Sequence, residues 1–408
     1  MTAATSIAQP LTVPRLSIVV LPFANLSSNP EQQYFADAIT EDVTTDLSRI
    51  AHSFVIKRVD TNQIGRDLGV RYVLEGSVRR SANKVRVNTQ LIDAETDAHL
   101  WAEQFDGDIG DLFELQNEIT SRIAIALNLE LTSREATRST EQPDALDYLL
   151  RGRAAYWDWQ GARSRDRFAE TTRLFERALA LDPRSGEAKS WVAFMLFLRE
   201  EPTAADLQRA DELVVQALEA SPRDGFAHQV KGLLLLRVQG RCDEAIPEFE
   251  TALALNRNWL SALNQLAWCK IMTGSIEDAI PLVEQAIRLS PRDPLIRLFY
   301  TNMGIAHLLQ SHTDEAILWF EKARGAAVFA FPYSFLAAIY GLRGETDKAA
   351  ANLAEARRQF PDGRYSSIAR RKAQGLYSIP GYWGVPKVAA LFETTYFAGL
   401  RKAGMPEE

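Results

Sequence analysis

The sequence predicts an α/β domain of order β-α-β-α-β-β-β-α followed by an all-α solenoid of stacked helical hairpins. Two observations carry that assignment. In the second half, apolar and small residues recur with a period of about 34 residues; one unit sets Leu266, Ala267, Gly274, Ala279, Ala286 and Pro291, and another Leu336, Ala337, Tyr340, Gly344, Ala349, Ala356 and Pro361, in the same register. The first third instead shows short apolar runs, divided by turn residues, with helical patterns between them.

Residues 1–14 are a polar, proline-containing stretch, expected to be a disordered lead-in. The α/β domain spans 15–130. SIVVLPF (Ser17 to Phe23) reads as a buried strand, and NLSSNP leads into a helix over about 31–50. SFVIKR is a second strand, and TNQIGRDLG a short helix closed by Gly69. YVLEGSVRR, KVRVNTQLID and AHLWAEQFD are three strands joined as hairpins by SAN and AETD. DIGDLFELQNEITSRIAIALN is a helix with acids in its first turn, as the helix dipole favours. LTSREATRSTEQP (131–143) is polar, ends in proline and reads as a linker.

Six repeats are expected over 144–361, each a helix A and a helix B. The first carries an inserted loop around Trp159 to Arg165, and the second an extended turn. Small residues mark where A and B cross closely, and large ones fill the gap to the next hairpin. Spacings of this kind are those of the tetratricopeptide repeat. One hairpin cannot bury its apolar face alone, so the units must stack into a curved solenoid with a long concave surface. Residues 362–408 are expected to cap its end.

At SIVVLPFANLSSNPEQQYFADAITEDVTTDLSRI, RYVLEGSVRR, QLIDAETDAHLWAEQFD and GLRKAGMPE the chain resembles the non-catalytic region of bacterial class III adenylate cyclases. In those proteins a TolB-amino-terminal-like (FlgO-like) domain precedes tetratricopeptide repeats. Similar regions follow winged-helix DNA-binding domains in membrane-linked regulators. In the family arrangement the catalytic or DNA-binding domain comes first; only residues 1–14 precede the first strand here, against the ~100 residues typical of a domain. The resemblance therefore implies a regulatory region, and no cyclase activity for this chain. The family also holds a longer segment between the second strand and second helix than the step from FVIKR into VDTNQIGRDLG.

Charge narrows the function classes. Residues 1–140 hold 13 Lys or Arg against 19 Asp or Glu, so nearly all of the net charge of −7 lies there. No basic face is available for nucleic acid. The amino terminus lacks a basic n-region, so the expected location is the cytoplasm. The uncharged stretch Gly325 to Leu342 touches membrane-helix length but contains Pro332 and keeps the repeat register, so it reads as a buried helix.

No catalytic or metal constellation emerges, and no cofactor is expected. Asp37 and Glu41 read as solvated partners of a helix dipole, and Asp106, Asp108 and Asp111 as helix-capping acids. SANK at Ser81 to Lys84 matches the Ser-x-x-Lys nucleophile pattern but sits in a hairpin turn. His52, His99, His228, His307 and His312 are scattered, and Cys242 and Cys269 read as small buried apolar residues. Neither a P-loop nor a dinucleotide-binding glycine motif occurs.

The solenoid carries the functional expectation. By register, the helix A residues facing the concave side include Arg153, Tyr156, Phe194, Phe197, Gln229, Leu233, Asn264, Trp268, Ile271, Thr301 and Ile305. That mixture suits an amphipathic helix or extended segment of a protein partner, and a homo-oligomer is a separate expectation. No Lys/Asn array for clamping a carboxylate terminus accompanies it. Two functions follow: a non-catalytic interaction or sensory module of bacterial signalling, and a separated regulatory half of a class III adenylate cyclase.

Overall fold

A computed structural model describes residues 15–27, 30–50, 53–57, 70–81, 83–108, 112–137, 143–162, 164–326, 331–376 and 379–408. The chain divides into two units, Met1–Ser139 and Thr140–Glu408. The expected disordered lead-in, the short helix closed by Gly69 and Asp111 lie outside the described residues.

The first unit is a six-stranded mixed sheet with two long helices. Its strands are β1 (Leu16–Val20), β2 (Ala24–Asn25), β3 (Ser53–Lys57), β4 (Tyr72–Ser81), β5 (Lys84–Asp93) and β6 (His99–Asp108). Strand order is β3-β1-β4-β5-β6, with β2 beside β4. β1 is parallel to both neighbours, and β4, β5 and β6 form an antiparallel meander. All five residues of β1 are buried, as a central strand covered on both faces requires. Helix α1 (Gln33–Leu47) buries Phe35, Ile39, Val43 and Leu47, and α2 (Leu112–Thr137) buries Ile119, Ile123, Leu127 and Leu131; both rows follow the i, i+4 rule. The two helices pack on each other and on the sheet.

Helix α2 corrects the expected linker, because residues 131–137 are its last two turns. One carboxylate anchors them. Glu135, only 5% exposed, accepts hydrogen bonds from the Tyr72 hydroxyl at 2.5 Å and from Arg71 Nη1 at 2.8 Å, which ties the helix end to the sheet. Asp106 and Asp108 are likewise strand residues of β6 and not helix caps; Asp106 pairs with Arg86 of β5 at 2.7 Å.

The second unit holds six helical hairpins among the described residues: α3/α4 (Ala145–Ala162, Arg165–Leu181), α5/α6 (Gly186–Phe197, Ala204–Ala220), α7/α8 (Gly225–Gln239, Cys242–Leu255), α9/α10 (Leu260–Thr273, Ile276–Leu289), α11/α12 (Ile296–Leu309, Thr313–Ala326) and α13/α14 (Phe331–Leu342, Thr346–Gln359). Together they form a solenoid like that of tetratricopeptide repeats. Local chemistry starts the helices: Ser164, Ser185 and Asp224 accept backbone N–H groups at N-caps, and Thr203 with Asp206 forms a capping box. Where helix A carries Gly152, Gly232 or Gly304, helix B presses Phe175, Phe249 or Phe320 against it, and a Cβ at these glycines would lie 2.6, 2.7 or 2.8 Å from the ring. The expected loop at Trp159 to Arg165 is corrected too: α3 continues to Ala162, with Trp159 and Gln160 buried.

After the sixth hairpin come α15 (Ile368–Gln374), α16 (Pro386–Phe392), one turn of π-helix (Glu393–Phe397) and α17 (Ala398–Lys402). The terminus closes back on α15 through Ile368 N–H to Pro406 O at 2.8 Å and Ala369 N–H to Glu407 O at 2.9 Å. No helix among the described residues is long and apolar enough to cross a membrane; the uncharged stretch contributes α13, 12 residues long.

Candidate functional site: the inner face of the repeats

Successive A helices touch one another, α5 with α7 and α9 with α11, which puts them on the inner side of the curve. The eleven residues expected to line a groove lie on these helices, but all except the half-buried Thr301 are buried within the chain. They are not a free surface. Three arrangements account for the burial.

The first is aromatic. Tyr156 contacts Trp191 and Phe194 at centroid distances of 5.5 and 5.6 Å, Phe194 meets Phe197 and Phe226, and Phe226 stacks on Trp259 at 5.7 Å. Leu233 lies buried on α7.

The second is a polar ladder between A helices. Gln229 Nε2 donates to Ser261 Oγ at 2.7 Å, and Asn302 Nδ2 donates to Asn264 Oδ1 at 2.9 Å. Arg153 reaches Glu187 on the next A helix at 3.7 Å. Thr301 donates to Arg297 O in its own helix at 2.8 Å. A longer strut crosses the curve, where Arg297 Nη2 donates to Gln160 Oε1 at 3.2 Å and Gln160 Nε2 donates to the Tyr156 hydroxyl at 2.7 Å. Asp293, buried beside Arg297, has its carboxyl pushed up to about 6 by burial.

The third is the chain's own end. Tyr382 lies against Gly240, the left-handed residue closing α7, and a Cβ there would meet its ring at 2.6 Å. Val385 N–H then donates to Met272 O at 3.0 Å, and Gly384 fits against that same carbonyl. Next α16 packs on α9 and α11, the helices carrying Trp268, Ile271 and Ile305, and the π-turn packs on α11 and α13. Residues 379–403 thus run across hairpins three to six in order. Part of the segment expected to cap the end thus lies along the inner face.

Behind this segment sits a fully buried arginine. Arg371 donates to the Tyr396 hydroxyl at 3.0 Å and to Gly375 O at 2.8 Å, with its guanidinium 4.5 Å from the Trp383 ring. Tyr396 donates to Ser334 Oγ at 3.0 Å, and burial pushes its phenol up. Gly399 and Gly341 let α17 and α13 cross in backbone contact: a Cβ on Gly399 would lie 2.0 Å from Ala338 O. The two cysteines also converge here. Cys242 Sγ is 3.4 Å from the Tyr382 hydroxyl; the neighbouring Cys269 thiol lowers the Cys242 pKa, while that contact and burial push Cys269 up. Among the described residues no group of three or more His, Cys, Asp or Glu could hold a metal ion.

The family model of the tetratricopeptide repeat matches residues 230–294 and 273–332. A Rhizobium meliloti (strain 1021) protein named as an adenylate cyclase is 40% identical over 248 residues, which cover 56% of this chain and 41% of that protein. The DnaJ protein P58IPK homolog B of Oryza sativa subsp. japonica is 29% identical over 234 residues, 54% of this chain and 47% of that one. The chain thus spans less than half the length of either relative. Among solved structures, the Cut9-Hcn1 hetero-tetramer of the APC/C aligns with a TM-score of 0.48 at 17% identity, covering 64% of this chain and 48% of that one.

Proposed function

We propose that this chain is a non-catalytic interaction module of bacterial signalling: a TolB-amino-terminal-like α/β unit senses or docks, and the repeat unit holds a protein partner on its inner face, in the cytoplasm. One observation carries the reading. The inner face already holds a peptide segment, residues 379–392, in the manner of a helix laid in a groove: an aromatic pair at Tyr382 and Trp383, a glycine turn, then a short apolar helix opened by Pro386. A partner that takes this place has the same chemistry and displaces that leg, while α17 stays anchored by its glycine crossing.

A labelled peptide of residues 379–397, titrated into the full chain, tests this. Tyr382→Ala removes the ring that covers the Gly240 turn and weakens the resident leg, so the added peptide binds about tenfold more tightly to that variant than to the parent chain. No binding to either, or equal binding to both, ends the reading.

The second reading, the regulatory half of a class III adenylate cyclase, is favoured by the name of the Rhizobium meliloti relative. In both readings the chain incubated with ATP and a divalent metal yields no cyclic nucleotide. Turnover by this chain alone would overturn them together.

A further inference from the structure

The α/β unit has a cleft of its own. β1 pairs with β3 on one side and β4 on the other, and the chain visits β3 before β4, so strand order reverses at β1. Ligands of open α/β sheets bind outside the carboxyl ends of strands at such a reversal. Here Leu21 and Pro22, just past β1, form one wall of a cleft of about 640 Å³, and the sheet surface of β4, β5 and β6 forms the other.

Hydrogen bonding sets its polarity. Gln90 Nε2 donates to Glu75 Oε1, and Gln104 Nε2 donates to Asp106 Oδ2 at 2.9 Å. The hydrogen bond from Arg86 holds Asp106 below the usual carboxylate range, so it is ionised and can only accept, which turns the Gln104 amide nitrogen toward it. Asn88 Nδ2 likewise faces Ser77 Oγ at 3.5 Å. Beside the second N–H of each amide, three acceptors are left over: Glu75 Oε2, Asn88 Oδ1 and Gln104 Oε1 have no hydrogen-bond partner among the described residues. Among the described residues no Lys or Arg lines the cleft.

We infer that this cleft binds a small organic cation, an ammonium or guanidinium compound whose N–H groups meet these acceptors. Anions would face the Glu75 carboxylate with no basic residue among the described lining to offset it. The inference rests on the reading of the α/β unit as the sensing half and is independent of the leg on the repeats.

Calorimetric titration of the full chain with agmatine and with putrescine at low ionic strength tests it. Saturable binding of at least one is expected, weakened about tenfold or more by Glu75→Gln and abolished by Asn88→Lys, which puts an ammonium into the cleft. Asp37→Asn, which removes an acid from α1, leaves the affinity unchanged, and glucose and succinate give no heat. Absence of saturable binding by both amines, equal losses in the Glu75 and Asp37 variants, or binding of glucose in their place overturns the inference. Each of these outcomes leaves the peptide titration of the repeat unit as it stands, so the two readings fail separately.

Discussion

The two halves of the inner face are closed by different means. Along hairpins one to three the A helices close it themselves, with Tyr156, Trp191, Phe194 and Phe226 packed ring against ring. From the turn of hairpin three onward a second layer of chain does it, admitted by glycines that leave room where a side chain would stand, Gly240 under Tyr382 and Gly384 against Met272 O. A face filled by its own repeat residues can open only by unfolding. A face filled by a terminal segment can exchange its filler, so the proposed partner binding is assigned to the later hairpins.

Trp268 gives the strongest test of that contrast. It lies in the exchangeable half, yet it is 1% exposed and carried on α9 beneath α16. Trp268→Ala should cost about 3 to 5 kcal/mol, the loss expected for a large aromatic removed from a core. Thermal melting should show it plainly. A nearly unchanged melting temperature would mean that the leg leaves α9 readily in solution, which would extend the exchangeable surface down to Trp268 itself.

How much of this was legible beforehand follows the range of each interaction. The hairpins could be read because their determinants repeat locally: Gly152, Gly232 and Gly304 each meet a phenylalanine of the same hairpin. The strands of the meander could be read because Val85, Val87, Thr89 and Leu91 alternate with exposed or half-buried neighbours. What misled were polar or irregular stretches recruited from far away. Glu135 looked like part of a linker until Tyr72 and Arg71 claimed its carboxylate. Trp159 and Gln160 looked like loop residues, but Gln160 is held by Arg297, 137 positions along the chain. Repeat register carries no information on what covers the residues expected to line the groove. That cover comes from residues 379–403, which have no repeat pattern of their own.

Proton linkage at Asp293 separates the strut from the leg. Its carboxyl titrates at about 6 in the folded chain because it is buried, above the ordinary aspartate value. In the unfolded chain it ionises near pH 4. Between those values the folded form holds a proton that the unfolded form has released, so its contribution is complete below about pH 4 and is lost as pH rises through about 6. The total is roughly 3 kcal/mol. Denaturant unfolding across this range should show the decline, and Asp293→Asn should flatten it while keeping an acceptor for Leu295 N–H, which now bonds the carboxylate at 2.8 Å. An unchanged slope in the variant would show that another group carries the pH dependence.

The smallest effect should come from the strut itself. Gln160 joins two helices that sequence separates widely, accepting from Arg297 and donating to Tyr156. Gln160→Ala removes both bonds, but Arg297 keeps Pro294 O at 3.1 Å and the nearby Asp293, so its charge is not stranded. The loss should therefore stay near 1 to 2 kcal/mol, the range for a hydrogen bond whose buried partner retains other contacts. Hydrogen exchange locates the consequence more sharply than melting does. If the early half is closed by its own aromatic residues, α3 and α5 keep their protection in Gln160→Ala, because the ring contacts from Tyr156 to Phe226 do not depend on the strut. Loss of protection spreading through both helices would make the strut the closure of that half, and the contrast between a self-filled and an exchangeable face would have to be redrawn around Arg297.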